Sequence, residues 1–357
     1  MNRQATDGCV VSAPLPVRLF GSVLDDLELP AIVAAVDLRT AVGAVERGDG
    51  RSSVRLPGRD AVEPAAVPLL PDVLAVLSEK SIGLSRGRDF TVYTRAPSPE
   101  TIALSPSLAV AWVTAVLAVE GRLPDLSGEA VAALASEALA RATGGSSRQP
   151  EMRAAVLGGT LLVRPGKGDS LPTERALPGL VVATLRTPLD DPRDSVALKR
   201  DTAEAIRSLR GLVGDFTFAE TTVPQVAETL NSLPPSLAGK VYGYLSARDI
   251  CGQAWEILEA ETGFDDDAFG EMLDDAHGIL RDYFHVSSGE AEDLVAAAKG
   301  AGALGCALCA DGATLAAFAP DKAEAVADAM RKRGARAHIA PVGVGMRVDH
   351  WAKEGEE

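Results

Sequence analysis

Basic charge is in short supply in this 357-residue chain: 35 lysines and arginines face 50 aspartates and glutamates, for a net charge of -15. A surface of that sign repels phosphate backbones, which argues against nucleic acid as a partner and is otherwise a recipe for solubility. No uninterrupted apolar run of membrane-spanning length occurs, and residues 1–20 lack a basic stretch followed by a long hydrophobic one, so neither a membrane span nor a secretory signal is expected. Cysteine is scarce, with four in the chain, too few for a disulfide framework, and a cytoplasmic protein with reduced thiols is the expectation. Cys306 and Cys309 have redox or zinc spacing, but Zn²⁺ takes four ligands and the remaining Cys9 and Cys251 are far apart in sequence. The apolar residues around the pair point instead to two buried thiols in a strand. The four histidines (His277, His285, His338 and His350) show no metal-ligand spacing, and there is no internal repeat or long low-complexity segment.

What is present is globular composition, 46% hydrophobic and 24% charged, in a chain long enough for two domains with separate cores. Periodicity predicts strands over 17–20 and 32–38, a looser polar segment over 43–60, a helix over 67–77 and a short strand over 90–94. Residues 107–120 are apolar nearly all round, the pattern of a buried helix, and a second helix over 130–141 ends at Gly144-Gly145. Strands follow over 160–163 and 180–185. The Pro- and Asp-rich stretch 187–195 reads as a domain junction. Beyond it lie helices over 196–212, 223–233, 237–261 and 265–283, where Asp265, Asp266 and Asp267 complement the helix dipole. Ser287 to Glu290 reads as a capping box opening a helix over 292–299. An apolar strand pair around Cys306 and Leu315, a helix over 320–333 and strands near His338 and Met346 complete the chain. The pattern is that of two α+β domains.

Four stretches, in order, resemble the GHMP kinases of the galactokinase branch. Val17-Arg18-Leu19-Phe20-Gly21 through Asp25, then 29–38, is similar to the family's P-G-R-x-x-L-x-G-E-H-x-D opening and the strand after it. Leu104-Ser105-Pro106-Ser107 stands at the place of the phosphate loop. Glu151 to Gly159 resembles the segment that carries the catalytic carboxylate and ends in Gly-Gly. Asp274-Asp275-Ala276-His277 and then 301–305 resemble the N-x-S-H helix and the A-x-G-A-L-G lead-in to the third motif. The resemblance implies a ribosomal-protein-S5 domain-2-like N-terminal domain over 1–190 and a ferredoxin-like C-terminal domain over 191–357, with nucleotide and sugar meeting in the cleft between them.

It also implies roles, many of them on altered residues. Phosphoryl transfer is mostly positioning and charge stabilisation. The loop of small residues that would wrap the phosphates of ATP has Ala103 for its glycine, Pro106 for a serine, and Glu100 where polyphosphate would lie. Leu104, Ser105 and Ser107 are its remaining cofactor-binding candidates, Ser107 also as the Mg²⁺ ligand, while Pro106 equally suits the first turn of the helix. Glu151 falls at the catalytic aspartate, and Arg18, two residues from the family's arginine position and on the same strand face, is its supporting cation. Asp25 is the surviving substrate-hydroxyl ligand. Gly312 is the one glycine left of the third motif, over 310–315. These replacements imply a protein weak or inactive as a kinase that binds a small, sugar-like molecule. The alternative is an active ATP-dependent sugar kinase with divergent motifs.

Overall fold

The computed structural model describes residues 8–352 except 22, 24, 96–104, 146, 147, 174, 215 and 262, with backbone alone at 26, 194 and 350–352. Its contacts divide the chain into two compact units that exchange segments: Met1–Pro16, Ala34–Gly159 and Val342–Glu357 form the first, Val17–Val33 and Thr160–Pro341 the second. The strands β1 (Gly8–Gly21) and β2 (Ala31–Glu46) each run through both.

In the first unit β1 and β2 are joined by β3 (Ser53–Arg55), β4 (Arg88–Thr94) and β11 (Arg347–Ala352), in the order β11-β1-β2-β4-β3. One face is covered by α1 (Leu70–Glu79), α2 (Pro106–Val119), α3 (Gly128–Thr143) and α4 (Gln149–Leu157). The apolar run predicted as a buried helix is α2, whose residues from Ser107 to Val119 are all buried. Trp112 sits at its centre, edge-on to Phe90 of β4 at 5.2 Å between ring centroids. The segment expected to be loose from residue 43 onward instead continues β2 to Glu46, because Gly43, Ala44, Val45 and Glu46 find backbone partners on β4.

The second unit holds the hairpin of β5 (Thr160–Arg164) and β6 (Asp169–Thr173), then β7 (Leu180–Thr184). The helices α5 (Val196–Val213), α6 (Val223–Leu230), α7 (Pro235–Glu259), α8 (Asp266–Asp282) and α9 (Gly289–Gly300) follow. After them come β8 (Gly305–Leu308), β9 (Thr314–Phe318), α10 (Ala323–Lys332) and β10 (Arg336–Ile339). Its four-stranded antiparallel sheet runs β10-β7-β9-β8. With helices between β7 and β8 and between β9 and β10, this is the ferredoxin-like topology that the family resemblance implied. The stretch 187–195 lies inside this unit, tied down by the Leu189 amide donating to the Gly312 carbonyl at 2.9 Å.

The capping box expected at 287–290 does not form. Ser288 caps α9 by accepting from the Ala291 amide at 3.2 Å, while Glu290 turns to Arg186, 3.0 Å away. Among the described residues no helix is long and apolar enough to cross a membrane.

Candidate functional site

In the second unit the opening segment builds a buried ion pair. Arg18 lies on β1 between Val17 and Leu19, and Asp25 opens the short 3₁₀ turn Asp25–Leu27. The Arg18 Nη2 donates to Asp25 Oδ1 at 2.7 Å, with only 4% and 6% of the two side chains exposed. Sequence reasoning gave these residues separate roles, one supporting a catalytic acid and one holding a sugar hydroxyl; the structure brings them together. Arg18, Ala276 and Ala310 border one small void, so three of the segments that carry the family resemblance converge there.

The third-motif segment is the tight turn joining β8 to β9. Gly312 has φ +68°, a conformation that favours glycine, and its amide donates to the Cys309 carbonyl at 3.1 Å. Asp311 Oδ1 accepts from the amides of Ala313 and Thr314, both at 2.9 Å. The amides of Gly312, Ala313 and Thr314 are thus spent on the turn's own residues.

His277 on α8 is a packing group with both ring nitrogens engaged. The Leu308 amide donates to Nδ1 at 3.3 Å, which leaves the proton on Nε2 facing Glu292 Oε1 at 3.1 Å. Beside it Asp274 Oδ1 accepts from the Cys306 amide at 2.9 Å and Oδ2 accepts from Lys299, pinning α8 to β8. Asp265 accepts from the Ala268 amide at 3.0 Å as the cap of α8. Burial and the nearby Asp321, Asp267 and Asp265 carboxylates hold Asp266 above the ordinary aspartate value.

In the first unit Leu104, with Glu100 and Ala103, lies outside the described residues. Ser105 caps α2, its side chain accepting from the Leu108 amide at 3.2 Å, and Pro106 is the first helical residue. Ser107 is wholly buried, and its hydroxyl donates to the Pro14 carbonyl at 2.9 Å. Glu151 stands in the first turn of α4, 5% exposed, where the helix dipole favours a carboxylate. Arg148, just before that helix, is 9% exposed with φ +48°, and Arg153 pairs with Glu129 at 3.0 Å.

Arg39 escaped the sequence reading. Its guanidinium donates to Ser12 Oγ and O and to the carbonyls of Val344 and Gly345, at 2.8 to 3.0 Å, clamping the return of the chain onto β1. A lone arginine on a strand gives no sequence signal for this. Burial, and then Arg347 nearby, lower its pKa. Cys306 and Cys309 are both buried, and among the described residues no three His, Cys, Asp or Glu side chains converge as a metal site would need.

Residues 256–336 match the family described as GHMP kinases C terminal. The mevalonate kinase of Thermococcus gammatolerans is 26% identical over 95% of this chain and 98% of its own length. The structure of Lactococcus lactis galactokinase complexed with galactose is similar with a TM-score of 0.77 at 16% identity, covering 96% of this chain and 95% of that one. The L. major mevalonate kinase in complex with R-mevalonate has a TM-score of 0.66 at 19% identity, covering 97% and 99%.

Proposed function

The chain belongs to the GHMP kinase superfamily, and on that premise we propose that it is an ATP-dependent kinase of a small polyhydroxylated or hydroxy-acid substrate. The observation that carries this reading is the buried Arg18–Asp25 pair. Apolar residues of similar volume are commonly as stable as a buried ion pair, or more so, which favours a use other than stability for this one. The similarity to a mevalonate kinase supports it, because the match runs over 98% of that protein's length and 95% of this chain.

In this reading Asp25 accepts a hydrogen bond from a substrate hydroxyl, with Arg18 keeping it ionised and oriented. Glu151 takes the proton of the attacking hydroxyl as its oxygen bonds to the terminal phosphorus of ATP and the bond to the ADP oxygen breaks. The start of α2 suits the phosphates: its first turn bears no acidic residue, and a helix N-terminus favours anions. Ser107 does not suit Mg²⁺, being fully buried with its hydroxyl given to Pro14. Gly312 does not suit nucleotide, because its amide is held by the turn. Those two commitments favour the second reading, a protein that binds the small molecule without transferring phosphate.

The experiment is ADP release by the purified protein with Mg·ATP and, in turn, galactose, other monosaccharides and mevalonate. Saturable release with one of them is the expected result. Failure to bind ATP up to about millimolar concentration, judged by the absence of a thermal shift, removes the kinase reading and leaves the binding protein.

A further inference from the structure

The face of the first unit's sheet that the helices do not cover carries a groove lined by none of the residues given a part in phosphoryl transfer above. Val11, Val42 and Val92 enter the core beneath the helices, so the two-residue period of a strand turns Ser12, Ala41, Thr91 and Tyr93 the other way. These four line a groove of about 1040 Å³. Five arginines and three aspartates complete its walls, a local excess of positive charge on a chain whose net charge is -15.

The arginines are not alike. Arg39 is spent on Ser12, Val344 and Gly345, and Arg347 pairs with Asp349. Arg55, Arg59 and Arg95 are exposed, and their side chains form no ion pair or hydrogen bond among the described residues. Elsewhere on this acidic surface comparable arginines have found carboxylates, as Arg47 has Asp49 and Arg141 has Glu79, each at 2.7 Å. Arg55 and Arg95 are fixed by the sheet itself: Arg55 stands opposite Thr91 in the parallel β3–β4 register, and the Arg95 amide donates to the Arg39 carbonyl at 2.9 Å. Three like charges lining one groove, with no partner among the described residues, repel one another and favour a multivalent anion between them. The Tyr93 ring, 60% exposed, offers a flat apolar surface in the same groove.

We propose that this groove binds a multiply charged organic phosphate, its phosphate oxygens gripped by Arg55, Arg59 and Arg95 and its organic body laid against Tyr93 and Ala41. Guanidinium groups match phosphate oxygens with paired, charge-assisted hydrogen bonds. Asp37, Asp60 and Asp349 on the walls supply acceptors for hydroxyls on the ligand. Ser107 and Glu151 sit buried in helices on the opposite side of the same sheet, so the groove does not share them. The proposal stands whether or not the protein transfers phosphate.

The test is calorimetric titration of the full chain with inorganic pyrophosphate and, separately, phenyl phosphate. Both bind, and both weaken at about 0.5 M salt because the contacts are solvent-facing. Arg55→Gln, Arg59→Gln or Arg95→Gln weakens each by roughly tenfold, while Tyr93→Ala weakens phenyl phosphate and spares pyrophosphate. All three arginines are exposed, so the triple Gln variant keeps the wild-type thermal midpoint and any Mg·ATP binding. The proposal is overturned if neither anion binds, if binding survives the triple substitution, or if Mg·ATP displaces pyrophosphate competitively, which would make the groove part of a nucleotide site.

Discussion

The guanidinium of Arg18 and the carboxylate of Asp25 meet at 2.7 Å across the end of β1, and both are almost wholly withdrawn from solvent. Removing one member of such a pair strands charge in a poor solvent, whereas replacing both with apolar groups does not. Asp25→Ala is therefore expected to cost on the order of 3 kcal/mol of stability. The double variant Arg18→Met with Asp25→Leu recovers most of that loss in urea denaturation, yet has no substrate-dependent ADP release. A double variant that turns over normally sinks the functional role assigned to the pair.

Glu151→Gln keeps the size and hydrogen-bonding reach of the side chain while removing its ability to take a proton. The fold survives, as near-unchanged thermal melting will show. The expected fall in kcat is about a hundredfold or more, the range of a lost general base. Normal turnover in this variant would assign Glu151 to packing at the start of α4.

The elements with a strong local signature were legible in the sequence. Residues 107–120 are so uniformly apolar that α2 had no alternative, and the long amphipathic stretches of the second unit gave α5, α7 and α8 to within a few residues. Pairings between distant segments were not legible. Nothing near residue 347 announces that β11 returns to pair with β1, because the partner lies at the other end of the chain. The capping box failed for a related reason: Glu290 had a better partner in Arg186, 104 residues away. The site divides the same way. Family resemblance singled out Arg18, Asp25 and Glu151 as candidates, but not that the first two pair with each other. Nor could it show that the Ser107 hydroxyl is consumed by a carbonyl 93 residues earlier.

Gly158 and Gly345 hold the returning chain against the end of α4. Gly158 has φ +79°, and a methyl group there would lie 2.1 Å from the Gly345 amide nitrogen; one on Gly345 would lie 2.1 Å from the Val156 carbonyl oxygen. Both neighbours are backbone and cannot step aside cheaply. Gly158→Ala and Gly345→Ala should each cost on the order of 3 kcal/mol. Gly144→Ala, at φ +61° with open space around it, costs only roughly 1 kcal/mol. Equal losses at positions 144 and 158 in denaturant titrations would mean that the close approach at Gly158 is absent in solution.

The thiols supply a pH test. All four cysteines are buried, and desolvation pushes Cys9 up to about 11 and Cys251 and Cys306 up to about 12 from an ordinary value of 9.0. A thiol reagent at about pH 8 should label none of them in the native protein and all four in urea, since the thiolate is the reactive form. Stability follows from the same shifts. The folded values lie above the unfolded one, so the folded state holds protons that the unfolded chain releases. Their contribution is whole below pH 9.0 and is lost as pH rises toward 11 for Cys9 and 12 for the other two. Urea midpoints should fall through this alkaline window, and Cys251→Ala or Cys306→Ala should make the fall shallower, whatever each costs at neutral pH. Rapid native labelling at pH 8, or an alkaline slope untouched by both substitutions, would show that these thiols reach water in the folded protein.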